Sequence, residues 1–365
     1  MKNKKNSIFI LAALFFVLII FLHPKNSITA ASEGLMLWFN NVLPSLFPFM
    51  VGINIIFFLG GDKIIGKFFS PIMNKVFNIP NEAGFAFISG LISGYPVGAK
   101  IIADLREKNI LSRDEAERAM SFSNNPSPVF VVATVSTAML GEPKYGYPLF
   151  AVIILASLTT GIIFRFLYKS ENHRTEIKSH TFCPQKNILG KSISSALETV
   201  TLVGGYIIFF SVILEILNIS GISGILANFL SMVKLMSEKE AYAFLTGIAE
   251  MTNGCLKVSV LNIEMNSKLA LMAFALSWSG FSIIAQTLNI ISKTDIRPQK
   301  YILAKAIHSV FSIFYSLVIF PILNSSLPAS IFYDKSSAVS NVNTILLHIS
   351  IFIIILHLTF KALKK

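Results

Sequence analysis

Four short polar stretches interrupt runs that are otherwise apolar. They are Ser93-Gly94-Tyr95-Pro96-Val97-Gly98, Ser121-Phe122-Ser123-Asn124-Asn125-Pro126-Ser127-Pro128, Glu250-Met251-Thr252-Asn253-Gly254 and Ser277-Trp278-Ser279-Gly280-Phe281-Ser282. Proline removes a backbone donor and disfavours helix at the residue before it. A helix broken in this way leaves N–H groups that attract anions and carbonyls that attract cations. Ser93, Asn124, Asn125, Ser127, Thr252, Asn253, Ser279 and Ser282 add side-chain donors and acceptors, and Gly94 opens the first break. This is the chemistry of exchanging a small polar solute's hydration shell for fixed dipoles.

Glu250 carries the most information of any single residue. A carboxylate inside an apolar segment is costly unless it is paired or wet. It is either a structural partner of Lys257 or a group that couples an ion or orients a substrate. Lys100 and Lys257 are the other charges within these segments. They either snorkel to an interface or face a cavity and favour an anionic substrate. Glu198, Glu215 and His308 read as packing or snorkelling groups, and Tyr95-Pro96 as a turn. A glutamate at the same depth would repel an anion unless protonated or neutralised, so Na+ or H+ is the expected coupling ion. No cofactor is expected. Cys183 and Cys255 have no metal-ligand spacing, and the sequence contains no H-E-x-x-H, G-x-S-x-G or P-loop. An enzyme is therefore not expected.

The elements that must position these residues follow from composition. Of 365 residues, 53% are apolar and only 14% charged, and mean hydropathy is +0.67. A soluble domain could not hide that surface, which points to an all-α polytopic membrane protein. About eight transmembrane helices are expected, over 7–22, 34–59, 121–140, 147–168, 192–217, 268–291, 301–323 and 342–360. The first is read as an uncleaved signal-anchor rather than a signal peptide. Two further segments, from Ile64 to Phe77 and from Ile222 to Met236, have the pattern of interfacial amphipathic helices. The segments 83–103 and 241–261, each broken in its middle, are expected to be re-entrant helical hairpins.

The two halves also resemble each other. Phe85-Ala86-Phe87-Ile88-Ser89-Gly90 aligns with Tyr242-Ala243-Phe244-Leu245-Thr246-Gly247, and Lys100 meets Lys257 at the same offset. The organisation is read as an N-terminal span (1–33), a first gate repeat (34–168), a cytoplasmic loop (169–191), a second repeat (192–323) and a C-terminal span with basic tail (324–365). The net charge of +12 is explained by Lys and Arg gathered in cytoplasmic loops, without nucleic acid. With both termini inside, the repeats come out inverted, as in many secondary transporters.

The motifs Ser89-Gly90-Leu91-Ile92-Ser93-Gly94-Tyr95-Pro96-Val97-Gly98-Ala99-Lys100, Leu111-Ser112-Arg113-Asp114-Glu115-Ala116, Phe122-Ser123-Asn124-Asn125-Pro126-Ser127-Pro128-Val129-Phe130 and Gly247-Ile248-Ala249-Glu250-Met251-Thr252-Asn253-Gly254 resemble the YlbJ family of sporulation integral membrane proteins. That family carries nucleoside-recognition (gate) domains and is similar to the concentrative nucleoside transporters. Gly280 stands where those carriers place an asparagine ligand. The resemblance implies a role in endospore formation, with dipicolinic acid as cargo across the outer forespore membrane. The alternatives are a non-transporting sporulation scaffold or receptor, and a nucleoside carrier. The expected partners are a small-molecule substrate and the bilayer, with oligomerisation left open.

Overall fold

The computed structural model describes residues 2–167, 187–232 and 236–326. Most of the expected cytoplasmic loop, Cys183 and the expected span 342–360 lie outside the described residues. Among those residues the secondary structure is helical throughout. The first half contains α1 (Lys2–Leu22), α2 (Pro24–Leu37), α3 (Leu43–Phe58), α4 (Gly61–Ile72), α5 (Ala83–Ser93), α6 (Val97–Glu107), α7 (Arg113–Ser123) and α8 (Gly146–Leu167). The second contains α9 (Ile188–Ile219), α10 (Ile222–Ser231), α11 (Glu238–Ala249), α12 (Met251–Ser259), α13 (Met265–Trp278), α14 (Gly280–Ile291) and α15 (Pro298–Ser326). Trp38–Val42, Met73–Phe77 and Phe130–Met139 are π-helical.

Among the described residues, four helices are long and apolar enough to cross a bilayer: Pro143–Leu167, Ile188–Ile219, Met265–Ile291 and Pro298–Asn324. A fifth is reached if Ala13–Leu22 and Pro24–Asn40, bent by 105°, form one span. Of the eight expected spans, 342–360 lies outside the described residues; of the others, 7–22 falls in the bent pair, and proline and polar residues divide 34–59 and 121–140 into shorter pieces. Pro24 starts a new helix after a bend at His23, and α7 stops at Ser123 before Pro126 and Pro128. The stretch that resumes at Phe130 has only ten residues.

The two segments broken in their middle each fold back on themselves. Gly90 in α5 faces Gly98 in α6, and Gly247 in α11 faces Gly254 in α12, where added side chains would collide. Capping boxes start α7 at Ser112/Glu115 and α11 at Ser237/Glu240. The α4 helix turns Ile64 (76% exposed) and Phe68 (79%) outward, while Met73 and Phe77 beyond it are buried. One core gathers Met50, Phe77, Phe85, Ile102, Phe122 and Val200. A second gathers Val135, Leu149, Ile153, Leu269, Met272 and Phe320.

The packing is reciprocal between halves. The α3 helix lies on α9, and α8 lies on α15. The α6 arm packs on α14, and the α12 arm packs on the π-helical stretch 130–139. Polar seams close the two ends of α15. At its start, Arg106 grips Asp295 through two hydrogen bonds of 2.8 and 2.9 Å. Beside them Arg297 and Lys300 reach buried Glu117 at 2.6 and 3.0 Å. At the far end, Asn324 donates to Asn266 and accepts from Tyr145, both at 2.8 Å.

Candidate functional site

The four breaks meet. Gly94 has φ +82°, and a Cβ there would stand 2.7 Å from the amide nitrogen of Ser127, so the first break lies directly on the second. Gly280 has φ +73°, and its Cβ would stand 2.8 Å from the nitrogen of Met251, so the fourth lies on the third. Both positions need a left-handed backbone and no side chain. Ser279, also left-handed at φ 72°, completes the turn between α13 and α14.

Between these contacts is a cavity of ≈ 70 Å³, room for a few waters or a small ion. Its polar lining comes from Ser93, Gly94, Tyr95, Ser127, Glu250, Thr252, Ser282 and Gln286. The hydroxyls of Ser93 and Ser282 are buried and have no hydrogen-bond partner. Buried polar groups are almost always satisfied, so an unpaired pair lining one cavity marks a place for a ligand or water.

Glu250 is 1% exposed and stands in extended backbone between α11 and α12. Its carboxylate accepts the N–H groups of Thr252 at 3.1 Å and Asn253 at 2.7 Å. It is therefore the N-cap of α12, with its charge against the positive end of that helix. The same side chain lines the cavity.

Not every expected residue reaches this point. Asn124 lies behind the cavity and donates to Tyr301 Oη at 2.8 Å and Thr287 Oγ1 at 3.2 Å. Asn125 donates to the Phe122 carbonyl at 2.7 Å, and the side-chain oxygens of both asparagines are buried without a partner. Ser279 sits beside the Tyr95 and Tyr301 phenols. Asn253 faces the other way, into a cavity of ≈ 660 Å³ shared with Glu33, Glu215, Asn218, Tyr242 and Lys257. The tip of the α11–α12 pair thus separates a small polar cavity from a large one.

Neither expected cation lines the small cavity. Lys100 Nζ donates to Ser195 Oγ at 2.6 Å, Thr199 Oγ1 at 2.9 Å and the Ser195 carbonyl at 3.1 Å, tying α6 to α9. Lys257 points into the large cavity over the Tyr242 ring at 6.0 Å, away from Glu250. The basic side chain at the breaks is that of Lys305, a position the polar motifs do not include. It is 1% exposed and donates to Tyr95 Oη at 2.8 Å and the Asn124 carbonyl at 3.3 Å. His308, read as a packing group, lies 3.4 Å away and bonds the Ile153 carbonyl through its other nitrogen. A signal for both was present. Tyr301, Lys305, His308, Ser312 and Ser316 recur at three- and four-residue spacing, a polar stripe along one face of a span, and all are buried.

The fold and site define a helical membrane protein whose broken helices converge on a cavity of mixed apolar and polar lining. Residues 39–143 match the Gate family, described as nucleoside recognition. The chain is 30% identical over 329 residues to the sporulation integral membrane protein YlbJ of Bacillus subtilis (strain 168), covering 84% of this chain and 80% of that protein. It belongs to the YlbJ family of sporulation integral membrane proteins. No solved structure matches it.

Proposed function

We propose that this chain is a carrier for a small anionic metabolite during endospore formation, with dipicolinic acid as the substrate across the outer forespore membrane. The observation that carries this is the meeting of four helix breaks at one buried cavity with unpaired hydroxyls. Irregular backbone at membrane depth is tolerated where it is buried in protein or lines a wet cavity. Paired broken segments are the usual mark of a transporter's binding site. The folded-back pairs α5–α6 and α11–α12 act as gates in alternating access. The reciprocal packing of α6 on α14 and of α12 on 130–139 supports a two-fold relation between the halves, as an inverted repeat requires. Both termini are placed in the cytoplasm, and no enzymatic step is involved.

The ≈ 70 Å³ cavity is smaller than a ring with two carboxylates. In this reading the small cavity must widen to admit substrate, and the ≈ 660 Å³ cavity behind the α11–α12 tip is the vestibule through which it arrives. The test is uptake of labelled dipicolinate by vesicles containing only this protein, with unlabelled uridine as competitor because the Gate description names nucleosides. Saturable uptake that uridine leaves unchanged supports the proposal. Uptake inhibited by uridine points to a nucleoside carrier, and no uptake of either solute returns the protein to a scaffold role.

A further inference from the structure

Lys305 is surrounded in an unusual way. Its three contacts are the phenol oxygen of Tyr95, the main-chain carbonyl of Asn124 and Nδ1 of His308. The Tyr95 hydroxyl donates onward to the Leu276 carbonyl at 3.0 Å, so toward Lys305 it can only accept. His308 Nε2 faces the Ile153 carbonyl at 2.9 Å, which requires a proton on Nε2 and leaves Nδ1 as an acceptor in the neutral ring. Three acceptors thus meet three N–H groups, the complement of an ammonium. A neutral amine would leave its lone pair facing acceptors. Among the described residues no carboxylate pairs with Lys305.

The charge is therefore balanced by dipoles. Asn124 is the residue at which α7 ends. Leu276 belongs to the last turn of α13, reached through Tyr95. Carbonyls at the ends of broken helices form the negative pole where a carrier of this architecture would hold a cation. Here the chain's own ammonium stands on the carbonyl that closes the second break, and it grips the tyrosine of the first.

We propose that Lys305 is a tethered cation that fills the ion position at the helix breaks, so that the closed site forms without bound Na+. This deepens the carrier reading and rests on it for its meaning in transport. It also bears on an anionic cargo, which would otherwise meet Glu250 alone. The cavity holds Glu250 on one side and, behind Tyr95, a fixed positive charge on the other.

A test independent of substrate is thermal unfolding of the purified full chain, in choline chloride and in NaCl of equal ionic strength. The wild type and Lys305→Arg should have the same Tm in both salts. Lys305→Ala removes the ammonium and leaves space. It should unfold several degrees lower in choline and regain Tm saturably with methylammonium or Na+. A saturable Na+-dependent rise in wild-type Tm would overturn the proposal without any variant. So would Lys305→Ala behaving as wild type in choline, or losing stability that no monovalent cation restores. Dipicolinate uptake in the two salts is the second arm, and equal wild-type rates are expected. Absence of uptake in both salts would sink the carrier reading while the Tm result still decides the role of Lys305.

Discussion

Glu250 caps α12 through two backbone N–H groups and also faces the cavity, so a structural role and the proposed transport role can be tested separately. Glu250→Gln keeps one acceptor oxygen and removes the charge. A charge-assisted cap is stronger than a neutral one, and the change should cost about 1 kcal/mol of stability. Uptake should fall by about tenfold or more, the equivalent of 1.4 kcal/mol, with the amount of protein in the membrane unchanged. Normal uptake with a lowered Tm would leave Glu250 as a helix cap alone. Much of this was legible from residue types, because Glu, Asn, Ser and Gly inside apolar runs are costly wherever they point. What the types could not tell was direction. Asn253 is three residues from Glu250 yet opens into the other cavity, because Glu250 stands in extended backbone before α12 while Asn253 lies in its first turn.

Elements meet through backbone at the breaks, and this gives a contrast between two glycines. Gly280→Ala puts a methyl 2.8 Å from the Met251 nitrogen at φ +73°. It should destabilise by about 1–3 kcal/mol. Gly205, inside α9, has nothing within 4 Å of an added Cβ. Gly205→Ala should raise stability by up to about 1 kcal/mol through helix propensity. Thermal unfolding in one detergent compares the two, and equal effects would deny that the third and fourth breaks touch. The breaks themselves were readable because proline and glycine act on local backbone. The bend at His23 and the π-helical stretches were not, since a helix adopts them to fit its neighbours.

At the scale of the whole molecule, topology and the polar seam are both open to test. With Cys183 and Cys255 replaced by Ser, an inverted arrangement places Arg113→Cys, which follows the first folded-back pair, on the cytoplasmic side. It places Asn262→Cys, which follows the second, on the other. A membrane-impermeant maleimide applied from outside should label the second and reach the first only after permeabilisation. Equal labelling would end the inverted-repeat proposal. In the seam, burial alone would raise the Glu117 carboxyl, but hydrogen bonds from Arg297 and Lys300 hold it below its ordinary value. The Arg106 fork holds Asp295 low as well. Carboxylates depressed in the folded state contribute stability above their unfolded pKa and lose it as pH falls through the folded one. Tm should therefore decline as pH drops below about 5. Arg297→Ala should cost about 1–3 kcal/mol at neutral pH, because Glu117 is only 2% exposed and keeps Lys300 alone, and should flatten that decline.

By itself the sequence determined everything that local chemistry controls. Apolar runs and sparse charge put the chain in a membrane. Ser112/Glu115 and Ser237/Glu240 cap helix starts, while Pro96, Pro126 and Gly280 fall at the breaks between helices. Only the tertiary structure decided which charge stands at the breaks. Lys100 and Lys257 lie within the broken segments, yet the rotation of their helices turns one to α9 and the other to the large cavity. Lys305 comes from α15, far along the chain, and reaches Tyr95 and Asn124 because α15 packs beside α7 and α13. A side chain's electrostatic partners depend on which helices are neighbours and how each is turned, and residue type and local spacing do not encode that.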